Sequence, residues 1–85
     1  GDANAQLKLA WMYKRGQDVS KDDKLAAKWF ELAAEQGNAD AQYVLGGLYR
    51  RGKGVLKNQE TALKWYRLAA KKGHELAKKR IENNR

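Results

Sequence analysis

Apolar residues recur along this chain at helical spacing, in stretches of roughly a dozen residues separated by glycine-containing breaks. Between Ala39 and Arg51, the residues Ala41, Leu45, Leu48 and Tyr49 stand at i, i+4, i+7 and i+8, one stripe on one side of a helix. Asn38 precedes that stretch and can cap it, because its side-chain oxygen accepts from the open N–H groups of the first turn. Gly52 follows it, with Arg50 and Arg51 in the last turn, the expected chemistry of a helix C-terminus. After the short loop Gly52-Lys53-Gly54-Val55-Leu56-Lys57 comes a second cap, Asn58. The helix it opens carries Ala62, Trp65, Tyr66, Ala69 and Ala70 on one side and ends at Gly73. The same reading applied to the rest predicts five helices, near 3–15, 22–36, 39–51, 58–72 and 74–83, and no strand; the absence of proline agrees.

The pattern repeats. Shifting the chain by 36 places pairs Gly1 with Gly37, Ala5 with Ala41, Gln6 with Gln42, Leu9 with Leu45 and Tyr13 with Tyr49. The same shift pairs Arg15-Gly16 with Arg51-Gly52, Lys28-Trp29 with Lys64-Trp65, and Leu32-Ala33-Ala34 with Leu68-Ala69-Ala70. Sixteen of the 36 pairs are identical, against roughly two or three for unrelated stretches of ordinary composition. A period of this length means stacked supersecondary units sharing a linear core. The units are 1–36, 37–72 and a partial third at 73–85 that serves as a C-terminal capping helix. Small residues at Ala33, Ala34, Ala69 and Ala70 let neighbouring helices approach, and Trp29, Phe30, Trp65 and Tyr66 are expected to fill the space between layers. Because the chain starts on the repeat phase at Gly1, it reads as a piece of a longer array or as a consensus-style sequence.

The motif Gly-Asn-Ala-Asp-Ala-Gln-Tyr-Val-Leu-Gly-Gly-Leu-Tyr at 37–49, then Gly52-x-Gly54-Val55, then Ala62-x-x-Trp65-Tyr66-x-x-Ala69-Ala70-x-x-Gly73, resembles the Sel1-like repeat. The resemblance covers residues 1–73 and the fragment to Ile81. It implies an all-α fold, an αα-solenoid wound as a right-handed superhelix of two tetratricopeptide-like helix pairs. The period of 36, longer than the tetratricopeptide repeat, and the glycine-rich loop between helices favour the Sel1-like variant. Copy one departs from copy two in having Ala10 for Gly46 and Asp18 for Gly54, and neither loop has a proline before its cap. The resemblance further implies a non-enzymatic adaptor or scaffold, of the kind associated with complex assembly and with bacterial envelope or host-interaction roles.

Composition adds limits. Eighty-five residues make one small domain, the chain has no cysteine for a disulfide or thiolate metal site, and its apolar runs are too short to span a membrane. A net charge of +8 raises the alternative of nucleic acid or another polyanion as partner. The cations are spread over both repeats, however, and the densest group (Lys71, Lys72, Lys78, Lys79, Arg80, Arg85) lies where a terminal helix needs a polar outer face.

No catalytic, cofactor or metal constellation stands out. His74 is the only histidine and occupies the capping position that Asn38 holds one repeat earlier, so a turn role is expected. Asp22 and Asp23 are adjacent and do not face one another on a helix, and Asp22 aligns with the cap Asn58. Trp29 and Trp65 could stack on bases if exposed, but their recurrence beside alanines predicts core. Trp11 differs. The inward stripe of its helix is Ala5, Leu9, Met12, Tyr13 and Gly16, and Trp11 lies nearly opposite, with Asn4, Leu7 and Lys14. The matching positions are Asp40, Tyr43, Gly47 and Arg50 in copy two, and Leu76, Lys79 and Asn83 in copy three. In tetratricopeptide-like solenoids the first helix of each pair lines the concave groove, so the resemblance puts Leu7, Trp11, Lys14, Tyr43, Arg50 and Lys79 on one surface. Aromatic area set among cations fits a protein or peptide partner with acidic groups. Gly47, facing the bulky Trp11, is expected to leave a hollow in that surface.

Overall fold

The computed structural model describes residues 2–83. It contains α1 (Ala3–Arg15), α2 (Asp23–Glu35), α3 (Ala39–Arg51), α4 (Gln59–Lys71) and α5 (Glu75–Asn83), with no strand among the described residues. Helices α2, α4 and α5 begin one residue later than the spacing predicts, because Asp22, Asn58 and His74 serve as caps and not as first-turn residues. Likewise α2 and α4 end one residue early, at the C-caps Gln36 and Lys72.

Side chains open every helix. The Asn38 Oδ1 accepts from the Ala41 N–H at 2.9 Å, Asn58 Oδ1 from Thr61 at 3.0 Å, Asp22 Oδ1 from Leu25 at 3.0 Å and Asp2 Oδ1 from Asn4 at 2.9 Å. Glycines close the first helix of each pair: Gly16 and Gly52 take left-handed φ values of 70° and 71° and donate to the carbonyls of Met12 and Leu48. The cap residue of each second helix is also tied back to the first, since Asp22 N–H donates to Tyr13 at 3.0 Å and Asn58 N–H donates to Tyr49 at 2.9 Å. Each loop is therefore fixed at both ends, and two helices of 13 residues become one hairpin.

Helix packs on helix in chain order, α1 on α2, α2 on α3, α3 on α4 and α4 on α5, giving a stack with extents of 38 × 25 × 16 Å. The main core joins the two pairs through Ala10, Ala26, Ala27, Phe30, Ala33, Ala34, Ala41, Leu45 and Leu48. A second, smaller cluster of Ala62, Tyr66, Ala69 and Ala77 seats α5 on α4. The alanine faces do bring the helices together, as their spacing predicts. The aromatic expectation needs correcting in part. Phe30 and Tyr66 are buried, but Trp29 and Trp65 are only half-buried at the edge of the main core. They flank the line 26-30-33 and 62-66-69 that meets the neighbouring helices, and an indole is too large to be covered from that flank.

Gln42 is the one buried polar side chain among the described residues, at 4% exposure, and its Nε2 donates to the carbonyl of Ala34 at 3.1 Å, across the junction between pairs. Its counterpart Gln6 reaches instead to the side chain of Gln36.

Candidate functional site

The second stripe of the first helices forms a surface with two small cavities. The first, about 180 Å³, opens between α1 and α3 beside Gly47. Trp11, Tyr43 and Val44 give its apolar walls, Lys14, Arg51 and Arg80 its charge, and no carboxylate lines it. The floor is Tyr66: its ring is buried at 3% exposure, yet its hydroxyl lies 3.6 Å from where a Cβ on Gly47 would stand. The two glycines make room for this placement. A Cβ on Gly46 would sit 2.9 Å from the Tyr66 ring, so Gly46 lets the ring slide under α3 and Gly47 leaves its edge uncovered.

Trp11 is half-buried and not the freely exposed platform that its position predicts. Its ring stands edge-on to Phe30, with centroids 5.1 Å apart and planes at 88°, and the Arg15 guanidinium lies 4.7 Å from its centroid. Both contacts fix the indole, so the wall it offers is rigid. Tyr43 is held equally well, stacked on the His74 ring at 4.7 Å and tilted against Tyr66 at 5.8 Å.

Two cations at the first cavity are perturbed. Burial holds the Lys14 ammonium below the ordinary lysine range; the Asp23 carboxylate offsets part of this, while Arg51, Lys53 and Lys21 push in the same direction as burial. Arg80 is shifted upward, chiefly by hydrogen bonding with the Tyr43 hydroxyl.

The second cavity, about 190 Å³, lies between α3, the first turns of α4 and α5, lined by Arg50, Gln59, Ala62, Leu63, Tyr66, Arg80 and Asn83. Tyr66 and Arg80 belong to both cavities and form the partition. The Arg50 Nε is out of contact with water and has no hydrogen-bond partner among the described residues.

Of the residues singled out in the sequence, Trp11, Lys14 and Tyr43 meet at the first cavity, and Arg50 lines the second. Leu7 is half-buried against the main core, and Lys79 is exposed and lines neither cavity. Arg51, Arg80 and the Tyr66 hydroxyl were missed. Arg80 aligns with Val44 in the repeat register, one position from Lys79, and that alignment was the available signal. Among the described residues, no group of histidine and acidic side chains could hold a metal ion, and no helix is long and apolar enough to cross a membrane.

A family model described as the Sel1 repeat matches residues 3–38 and again residues 39–74. The chain belongs to the Sel1 repeat family. Solved structures agree. A Sel1 repeat protein from Oxalobacter formigenes superposes with a TM-score of 0.96 at 46% identity, over 98% of this chain and 62% of its own. A protective antigen of uropathogenic Escherichia coli displaying the same fold gives 0.89 at 39%, over 91% of this chain and 16% of its own. The Helicobacter pylori cysteine-rich protein B gives 0.86 at 33%, over 88% and 56%. The chain thus spans from about a sixth to less than two-thirds of these relatives' lengths. No curated protein sequence matches it. Sel1 repeat proteins are generally scaffolds for protein–protein interaction and typically non-catalytic.

Proposed function

We propose that this Sel1 repeat segment is a non-enzymatic interaction module that docks an acidic segment of a partner protein along its concave surface, through Leu7, Trp11, Lys14, Tyr43, Arg50 and Lys79. The observation that carries this reading is the first cavity: rigid aromatic walls and three cations around a hollow with no lining carboxylate. Its size selects the occupant. At about 180 Å³ it is smaller than the roughly 300–1,000 Å³ of small-molecule sites, and matches one protein side chain. Trp11 and Tyr43 supply preorganised apolar area at low entropic cost, which is what a binding hot spot needs.

The test is affinity capture from the native host with the wild-type chain and with a Trp11→Ala/Arg50→Glu variant. Loss of the captured partners in the variant is expected. Equal capture by both, with loss on reversing Lys78, Lys79 and Arg80, would move the binding surface to the terminal helix. Salt separates this function from polyanion binding at +8 net charge. A docked aromatic groove loses little affinity between low and physiological salt, whereas a polyanion complex loses orders of magnitude.

A further inference from the structure

The two cavities are related by the repeat. Three lining positions of the first recur 36 residues on in the second: Lys14 becomes Arg50, Val44 becomes Arg80 and Gly47 becomes Asn83. A partner segment running along the surface meets them in succession, and they do not offer it the same chemistry. The first sets Lys14, Arg51 and Arg80 among the larger apolar walls of Trp11, Tyr43, Val44 and Leu48, and its lysine is already partly compensated by Asp23. The position of Asp23 is held one repeat later by Gln59, which lines the second cavity. The second cavity therefore gathers two guanidinium groups, two side-chain amides and the Tyr66 ring, with no carboxylate among its lining residues.

We infer that the second cavity is a carboxylate subsite, in which Arg50 and Arg80, assisted by Asn83 and Gln59, take an aspartate or glutamate side chain of the docked partner, while the first cavity takes its apolar or aromatic neighbour. This rests on the groove reading above and adds to it an order of side chains along the partner.

Three observations support the assignment. Arginine forks match a carboxylate in two parallel hydrogen bonds, so replacing the lysine of the first position by arginine in the second favours that group. The Arg50 Nε is buried without an acceptor, which leaves the terminal N–H groups of that guanidinium as the ones a carboxylate would meet. Gln59 lies in the first turn of α4, where Asn58 caps the Thr61 N–H and Glu60 stays outside the cavity, so the side chain that this turn gives the cavity is a neutral amide able to donate.

The probe is N-acetylglutamate N-methylamide, with the glutamine analogue as neutral control, titrated at low salt into the nitrogen-15-labelled chain while the side-chain N–H signals of Arg50, Arg80 and Arg51 are followed. Saturable shifts at Arg50 and Arg80 with the glutamate probe alone are expected, and Gln59→Asp, which restores the residue of repeat one, should weaken them about tenfold. Gln59 is exposed and an acid is favoured at a helix start, so this variant keeps the fold. Equal response to both probes, a response centred on Arg51, saturation by inorganic phosphate but not by the glutamate probe, or indifference to Gln59→Asp would each overturn the assignment. Trp11→Ala separates the two readings. If Trp11→Ala abolishes partner capture while Gln59→Asp leaves the probe titration unchanged, the groove stands and the carboxylate subsite falls. If the probe titrates Arg50 and Arg80 but neither Trp11→Ala nor Arg50→Glu alters capture, the anion site is real and the groove reading falls.

Discussion

Repeat one and repeat two share a motif but not an environment. Ala5 and Ala41 are the same residue at the same position, yet Ala5 is exposed and Ala41 is fully buried. Leu9 and Met12 are half-buried where Leu45 and Leu48 are buried. The second repeat has α2 lying against the inward stripe of α3; α1 has no helix of the described residues on that side. The sequence differences between the copies follow this difference. Gly54, in the loop of repeat two, packs on the first turn of α2, where a Cβ would stand 2.2 Å from the carbonyl oxygen of Asp23. Asp18 takes the same left-handed conformation in repeat one, φ 64° against 75°, with a side chain present. The lesson is that glycine at this repeat position is demanded twice over in the interior, by conformation and by the neighbouring backbone. In repeat one the backbone conformation is the same and a side chain is accommodated.

The largest effect should come from ignoring that distinction. Gly54→Ala combines a left-handed alanine with an overlap against fixed backbone, and should lose about 3 kcal/mol or more of stability in chemical denaturation. Asp18→Gly relieves a strained residue without creating any overlap, and should stay within about 1 kcal/mol of wild type. If the two substitutions cost the same, the loop of repeat two does not pack on α2 as described.

A smaller contrast lies one layer deeper. Ala10 packs at 0% exposure in the core that Phe30 anchors, whereas Gly46 faces the Tyr66 ring at distances that leave no room for a methyl group. Gly46→Ala should cost about 1–3 kcal/mol through overpacking. Ala10→Gly should cost about 1 kcal/mol through helix propensity plus a small void. The Gly46→Ala protein should also change the first cavity, because the ring that must shift is its floor. Tyr66 side-chain resonances, compared between the two variants, test whether that shift occurs.

The contrast between copies also marks what sequence could reveal. Caps and period are local chemistry, so Asp2, Asp22, Asn38, Asn58 and His74 were legible as helix starts, and with them the five-helix solenoid. The residues around the two cavities were legible only in part. Lys79, singled out in the sequence, lines neither cavity while its neighbour Arg80 lines both, and Arg50 and Arg51 divide between the second cavity and the first. Consecutive helix residues point about 100° apart, and which of two adjacent cations enters a groove depends on helix crossing geometry that no single periodicity encodes. Tyr66 was assigned to the core, correctly for its ring. Its ring fits under α3 and its hydroxyl lies beside Gly47 because Gly46-Gly47 replaces Ala10-Trp11, a local change whose consequence appears only across the helix pair.

The smallest predicted effect concerns the junction with the third unit, where His74 replaces Asn38. Its Nδ1 accepts from the Ala77 N–H at 3.3 Å, longer than the 2.9 Å of the asparagine cap in repeat two, so the cap itself is the weaker of the two. Because Nδ1 accepts, Nε2 carries the ring proton and donates to Asp40 Oδ1 at 3.0 Å, and the same ring stacks on Tyr43. The histidine thus exchanges cap strength for two tethers to α3 that asparagine cannot make. His74→Ala removes all three interactions and should cost about 1–2 kcal/mol, read as faster amide exchange at Ala77. His74→Asn keeps the cap and loses only the tethers. Because the Asp40 side chain is 75% exposed, that loss should be no more than about 0.5–1 kcal/mol. In both substitutions Tyr43 loses its stacking partner, so both should loosen the aromatic wall of the first cavity even where stability is nearly kept. Wild-type stability together with an unchanged Tyr43 ring in His74→Asn would mean that the tethers contribute nothing and that the histidine acts as a cap alone.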